Sequence, residues 1–269
     1  MSGVAEIPAA IPAARRRRRR ITIERVAGLV SLPACLAVWE ICSRTGLFDP
    51  RFFPAPSTIA VHAVALTQSG ELGSNLAASL RRLVLGSLVG GVPALLLGLA
   101  MGLWRPLRAA IDPLIAATYP VPKSSLLPLI LLVFGLGEAS KIVMVAIGVF
   151  YPLLINTAVG VAQIPPIYRD VGRSFGASTF NTFRTVALPG ALPLIMTGLR
   201  LGLGLGLVLI AIAEMVGAKS GLGYLIWSSW EIFDVEGMYV GLVVIAAIGF
   251  LIHIVLIRLE AMLVPWRQA

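Results

Sequence analysis

The sequence predicts an all-α polytopic membrane protein with about six transmembrane helices, and three observations lead there. The first is composition: the 269 residues are 58% hydrophobic and 13% charged, with a mean hydropathy of +0.91. A soluble domain is roughly 45–50% apolar and about 25% charged, so this chain has too little polar surface to coat a water-soluble globule. The second is that its apolar runs approach the ~20 residues needed to cross a ~30 Å hydrocarbon core. The third is that these runs are continuous, whereas a membrane barrel shows alternating segments of about 10 residues. Helices then follow, because lipid offers no water to unpaired backbone groups. The two cysteines, Cys35 and Cys42, make no disulfide framework. On one helix they lie roughly 10 Å apart, too far to bond.

The elements follow in order. Residues 1–25 form a basic tail that contains the uninterrupted run Arg15–Arg20. No aromatic residue interleaves with the arginines, so the tail reads as a cytoplasmic anchor under the positive-inside rule and not as a nucleic-acid arm. Residues 26–269 form the membrane domain. Its first span is Val26–Cys42. The stretch Leu32-Pro33-Ala34-Cys35 is similar to a lipoprotein cleavage box, but the neighbouring proline and the five further spans predict that the segment is retained. The later spans are Leu83–Trp104, Pro106–Leu136, Ile142–Gln163, Pro189–Val216 and Met238–Leu259. The third is broken by Pro113, Pro120, Pro122 and Pro128. With the arginine run inside, six crossings place both termini in the cytoplasm, together with Arg105, Arg108, Arg169, Arg173 and Arg184. Arg81 and Arg82 then fall at the outer end of the second span, where a helix beginning near Leu72 lets them snorkel to the interface. Gly86, Gly90, Gly98 and Gly102, and Gly198, Gly202, Gly204 and Gly206, suit close helix approach. Trp227, Trp230, Phe233 and Tyr239 suit an aromatic belt.

The long inner loop, residues 163–188, is the most informative stretch. Pro165 and Pro166 end the preceding helix. Ile167–Phe175 reads as a short helix, Gly176 as a turn, and Ser178 as the N-cap of a second helix over Thr179–Val186. Leu188-Pro189 is expected to end that helix and restart the next span. The mixed apolar and basic side chains suit either a partner's groove or the membrane interface.

The loop also resembles a known family. Binding-protein-dependent ABC importer permeases carry Glu-Ala-Ala, three residues, Gly, nine residues, then Ile-x-Leu-Pro. Here the chain has Asp170-Val171-Gly172, then Gly176, then Val186-Ala187-Leu188-Pro189, with both alanines replaced. Leu188 to Pro193, Gly198-Leu199-Arg200, Ala213-Glu214, Gly221 to Ile226, Phe53 to Ser57, Asp112-Pro113-Leu114 and Phe134-Gly135 are similar to the nitrate/sulfonate/taurine branch. The resemblance runs from Phe48 to the C-terminus.

The resemblance implies a type I ABC importer permease-like fold in the bacterial inner membrane, forming half of a pore as a homodimer. It implies two ATPase subunits and an extracytoplasmic solute-binding protein as partners, with ATP and magnesium held by the ATPase. It makes the loop a coupling helix and assigns ATPase contact to Asp170, Gly172, Ser174, Phe175, Gly176, Ala177, Leu188 and Pro189. The solute is expected to be a small anion of the sulfonate, taurine or nitrate class. A pyrimidine precursor or riboflavin remains an alternative, as does an ion-coupled secondary transporter. The residues themselves agree that this chain is no ATPase: Gly217-Ala218-Lys219-Ser220 lacks the glycines of a P-loop. No Cys/His set for a metal and no catalytic triad is apparent, and His62 and His253 stand alone. Ionisable groups inside spans mark a pathway or a buried pair. Lys123, Ser124 and Ser125 at the proline break, with Asn156 and Arg200, are therefore candidates for the translocation path. The other reading lays Pro106–Tyr119 along the inner surface with Lys123 snorkelling. Glu214 reads as a structural hydrogen-bonding group.

Overall fold

The computed structural model describes residues 30–165, 167–168, 171, 174–176 and 178–265. They form helices and turns, with no strand among the described residues. Two compact units meet between Val61 and His62 in sequence. The arginine run lies outside the described residues.

In the first unit, helix α1 is described over residues 30–44. Val30, Leu32, Val38 and Ile41 are exposed on it, which costs nothing in lipid tails as apolar as leucine. Glu40 accepts hydrogen bonds from Ser57 N at 3.0 Å and Ser57 Oγ at 2.7 Å, and Ser43 Oγ donates to Phe53 O at 2.8 Å. These bonds fasten the start of α2, Pro56–Gln68, and give the Phe53-to-Ser57 stretch a structural reason. In the turn between, the Arg51 guanidinium beside Asp49 holds that carboxyl below the usual carboxylate range.

The second unit contains α3 (Glu71–Leu103), α4 (Arg105–Thr118), α5 (Leu127–Phe134), α6 (Glu138–Ala162), α7 (Leu188–Met215), α8 (Leu222–Glu231) and α9 (Val235–Leu263). Helix α6 is central, packed along its length by α3 and by α7. Small residues cause this. Gly86, Gly90, Ala94, Gly98 and Gly102 recur every fourth residue on α3. A Cβ on Gly86 would sit 2.5 Å from Val145 Cβ, one on Gly98 would sit 2.7 Å from Thr157 Cβ, and one on Gly90 would overlap the Ala146 backbone. On α7, Gly198 and Gly202 meet Asn156 and Val149 of α6 in the same way, whereas Gly204 meets nothing within 4 Å. Val145, Val149, Leu153, Leu154 and Val161 fill the resulting core. In the best spanning window 56% of α6 residues are buried but only 17% of α9 residues, so α6 is the hub and α9 the periphery.

Among the described residues, four helices are long and apolar enough to cross a membrane: α3, α6, α9 and the continuous stretch Phe183–Met215. A fifth crossing results if α4 and Lys123–Phe134 count as one span, and α1 carries the remaining apolar run. The expected single broken span over Pro106–Leu136 is two helices bent by 86°. Prolines permit this: Pro120 and Pro122 stand in the turn between the two helices, and Pro128 sits in the first turn of α5, where no N–H is required. The expected break at Leu188-Pro189, by contrast, does not occur. Thr179–Thr182 runs through a π-helical turn, Phe183–Ala187, straight into α7, and Leu188 N donates to Phe183 O. The wider turn accommodates a proline that has no N–H to offer.

Candidate functional site

The segment before α7 displays an apolar stripe. It is helical at each described position between 167 and 174. Ile167, Val171 and Phe175, spaced by one helical turn, are all exposed, and Phe175 reaches 87%. Phe175 N donates to Val171 O at 3.1 Å. Gly176 follows with φ +69° and open space around its Cβ position, so the backbone conformation, not crowding, requires glycine. Ser178 is the N-cap expected, with Asn181 N donating to its Oγ at 3.2 Å. Ser174 is exposed and has partners; Leu188 and Pro189 open α7. Asp170, Gly172 and Ala177 lie outside the described residues. Beneath this segment a cleft of about 520 Å³ opens between the end of α6 and the start of α7, lined by Gln163, Ile164, Tyr168, Val186, Pro189 and Leu194 among others.

The broken span places Lys123 at its bend. The ammonium donates to Thr118 O at 3.0 Å, Tyr119 O at 2.8 Å and Val121 O at 2.9 Å. It therefore caps the last carbonyls of α4, the negative end of a helix dipole. It also lies 4.4 Å from the ring centroid of Tyr151 on α6. Ser124 and Ser125 are exposed in the 3-10 turn Lys123–Leu126. Asn156 donates to Pro152 O of its own helix at 2.8 Å, where the close approach of Gly198 presses against it. Arg200 donates to Glu260 Oε2 at 2.7 Å, joining α7 to α9. Lys123 thus meets α6, while Arg200 turns to another helix.

A buried polar node was not foreseen. Arg82 is 2% exposed and does not snorkel. Its Nε donates to Glu138 Oε2 at 2.9 Å, and Nη2 to Glu138 Oε1 at 2.5 Å and Ser220 Oγ at 3.1 Å. Its Nη1 donates to Glu214 Oε1 at 2.7 Å and Ser220 O at 2.6 Å. Every guanidinium N–H therefore has an acceptor. Glu214 also accepts from Ser79 Oγ at 2.8 Å and Gly223 N at 3.0 Å. Gly221 N donates to Asn75 Oδ1 and Leu222 N to Ser79 Oγ, both at 2.8 Å. Side chains of α3 and α7 thus satisfy the orphan N–H groups that open α8. A Cβ on Gly221, at φ +119°, would strike the Glu214 carboxylate. The node explains why Ala213-Glu214 and Gly221 to Ile226 go together, and why Ser220 belongs to no phosphate loop. The signal in sequence was two adjacent arginines near an apolar helix, with acids elsewhere to neutralise them.

The chain is similar in sequence to known proteins over most of its length. The chain is 34% identical to the taurine transport system permease protein of Escherichia coli over 241 residues, covering 88% of each chain. It is 36% identical to the putative aliphatic sulfonates transport permease protein of Escherichia coli over 234 residues, covering 87% of this chain and 89% of the relative. It is 30% identical to the nitrate import permease protein of Synechocystis sp. over 250 residues, covering 89% of each chain. Residues 94–268 match the family described as binding-protein-dependent transport system inner membrane component. That stretch holds the broken span, the loop with its exposed stripe, and all the helices from α6 onward. An all-helical membrane chain with this match belongs to that family of ABC transporter permeases.

Proposed function

We propose that this chain forms the translocation path for a small anionic solute of the sulfonate, taurine or nitrate class, and takes its driving force from a separate ATPase. The observation that carries the coupling is the exposed stripe Ile167, Val171 and Phe175, ending at the left-handed Gly176. Bare apolar side chains next to a fixed turn suit a groove in a partner protein. Two chains pair to enclose the path, two ATPase subunits bind ATP and magnesium beneath them, and a solute-binding protein delivers from outside. Both termini then lie in the cytoplasm. Because the helix after the Gly176 turn, Thr179–Thr182, continues through the π turn into α7, motion of the ATPase is transmitted to α7 as a rigid body. The ATPase must differ in affinity for the two states of the permease for the motion to be driven.

The relatives named for taurine, sulfonate and nitrate support an anionic solute. Lys123 supplies a held positive charge at the bend, with Ser124 and Ser125 beside it. Arg200, paired with Glu260, and Asn156, bonded to its own helix, add no further charge to the path. Ile232 and Phe233, 75% and 85% exposed between α8 and α9, offer the binding protein an apolar contact.

The test is uptake of radiolabelled taurine, methanesulfonate or nitrate into proteoliposomes carrying the chain, its ATPase and its binding protein. Uptake is expected to require ATP, and Gly176→Asp is expected to abolish both co-purification with the ATPase and uptake. Lys123→Gln is expected to keep the assembly but to lower anion uptake at least tenfold. Uptake that persists without an ATPase and follows a proton gradient overturns the proposal.

A further inference from the structure

We propose that His62, Asp234 and Glu236 form a binding site for a divalent transition-metal ion of the zinc type, tying His62 to the N-terminus of α9. This inference is independent of the solute and of the ATPase. The sequence sets His62 far from the neighbouring Asp234 and Glu236, and the fold brings one ligand atom of each within 4.8 Å of the others.

The geometry between His62 and Asp234 carries the inference. Asp234 caps α9: its Oδ1 accepts from Gly237 N at 3.0 Å. Its Oδ2 is thereby turned to His62 Nε2, 3.2 Å away. The distance suits an ion pair, but the direction does not make a hydrogen bond, and Nε2 is shut off from solvent with no hydrogen-bond partner. Nε2 and a carboxylate oxygen held this close repel each other unless a proton or a metal cation lies against both, and the direction here is poor for a shared proton. Adjacent ligands of a tetrahedral zinc ion, with bonds of about 2.0–2.1 Å, are separated by about 3.3 Å. The spacing in the structure is that of a coordination edge. Glu236 is exposed in the first turn of α9 and free to swing its carboxylate onto the third position.

The donor set selects the ion. An imidazole with two carboxylates suits zinc and its first-row neighbours, whereas calcium and magnesium prefer oxygen alone. Three protein ligands leave one position for water or a further ligand. The Gly237 N–H on the far oxygen of Asp234 supplies the outer hydrogen bond that orients a metal-bound carboxylate. Gly237 leaves space for this: a Cβ there would lie 2.5 Å from Ser229 Oγ and would collide with Asp234 Oδ2.

The full chain, purified in detergent and stripped with chelator, is titrated with zinc and, as a spectroscopic probe, with cobalt(II). One ion per chain is expected to survive gel filtration, with cobalt showing ligand-field bands and zinc raising the melting temperature. His62→Ala is expected to weaken binding by more than the roughly 10–100-fold that loss of an outer-shell partner costs, and to cancel the thermal shift. Glu236→Gln, at an exposed position, is expected to weaken binding while the zinc-free melting temperature stays put. His253→Ala, which alters the other histidine, is expected to change nothing. Absence of a bound ion in the unaltered chain overturns the site, as does undiminished binding in His62→Ala. Stability that depends on pH but not on zinc also overturns it, leaving His62 and Asp234 as a simple ion pair.

Discussion

Arg82 shows what a single buried charge does in this molecule. It neutralises Glu138 and Glu214, which lie 56 and 132 residues away, so no local pattern could pair them. Removing one partner of a buried ion pair leaves an uncompensated charge and costs about 3–5 kcal/mol. Arg82→Met is therefore expected to destabilise the chain by about that amount, read as a lower aggregation temperature in detergent. Lys219→Ala, one residue from the node, is expected to leave that temperature unchanged. Phe233 is a second case. It is the non-glycine residue with positive φ, at 59°, among the described residues, and its ring is 85% exposed. The left-handed backbone costs a non-glycine residue about 1–2 kcal/mol, and an exposed ring repays little of it. Phe233→Gly is expected to raise the melting temperature while weakening stimulation of transport by the binding protein.

At the scale of the element, the period-four stripe of α3 was legible as glycines but not as a surface. Only the contacts show that Gly90 touches backbone while Gly204 faces open space. Gly90→Val is expected to force α3 from α6 and cost at least the 1–3 kcal/mol or so of overpacking, seen as loss of the monodisperse peak in gel filtration. Gly204→Ala is expected to run as the unaltered chain. The third span breaks at its prolines as expected, whereas the expected break at Leu188-Pro189 is absent. Proline removes an N–H wherever it stands, but whether the chain bends or bulges depends on what packs beside it. At Tyr119–Pro122 the Lys123 ammonium captures the freed carbonyls and the chain turns by 86°. Before Pro189 a π turn absorbs the misfit and the helix continues.

For the whole molecule, the low charge and long apolar runs were sufficient to determine a helical membrane protein. Hydropathy is a sum over neighbours in sequence, and lipid permits few alternatives. The same local reading found the Gly176 loop, because a turn signal and a cap lie within a few residues of each other. The tertiary structure alone decided that α6 is the hub, that Arg82 is buried and that Arg200 turns to Glu260. It also decided that His62 meets Asp234 and Glu236. Each of these depends on residues from separate helices, and their meeting is set by how small side chains let those helices approach. Composition fixed the solvent in which this chain folds, whereas packing fixed which of its few charges stand face to face.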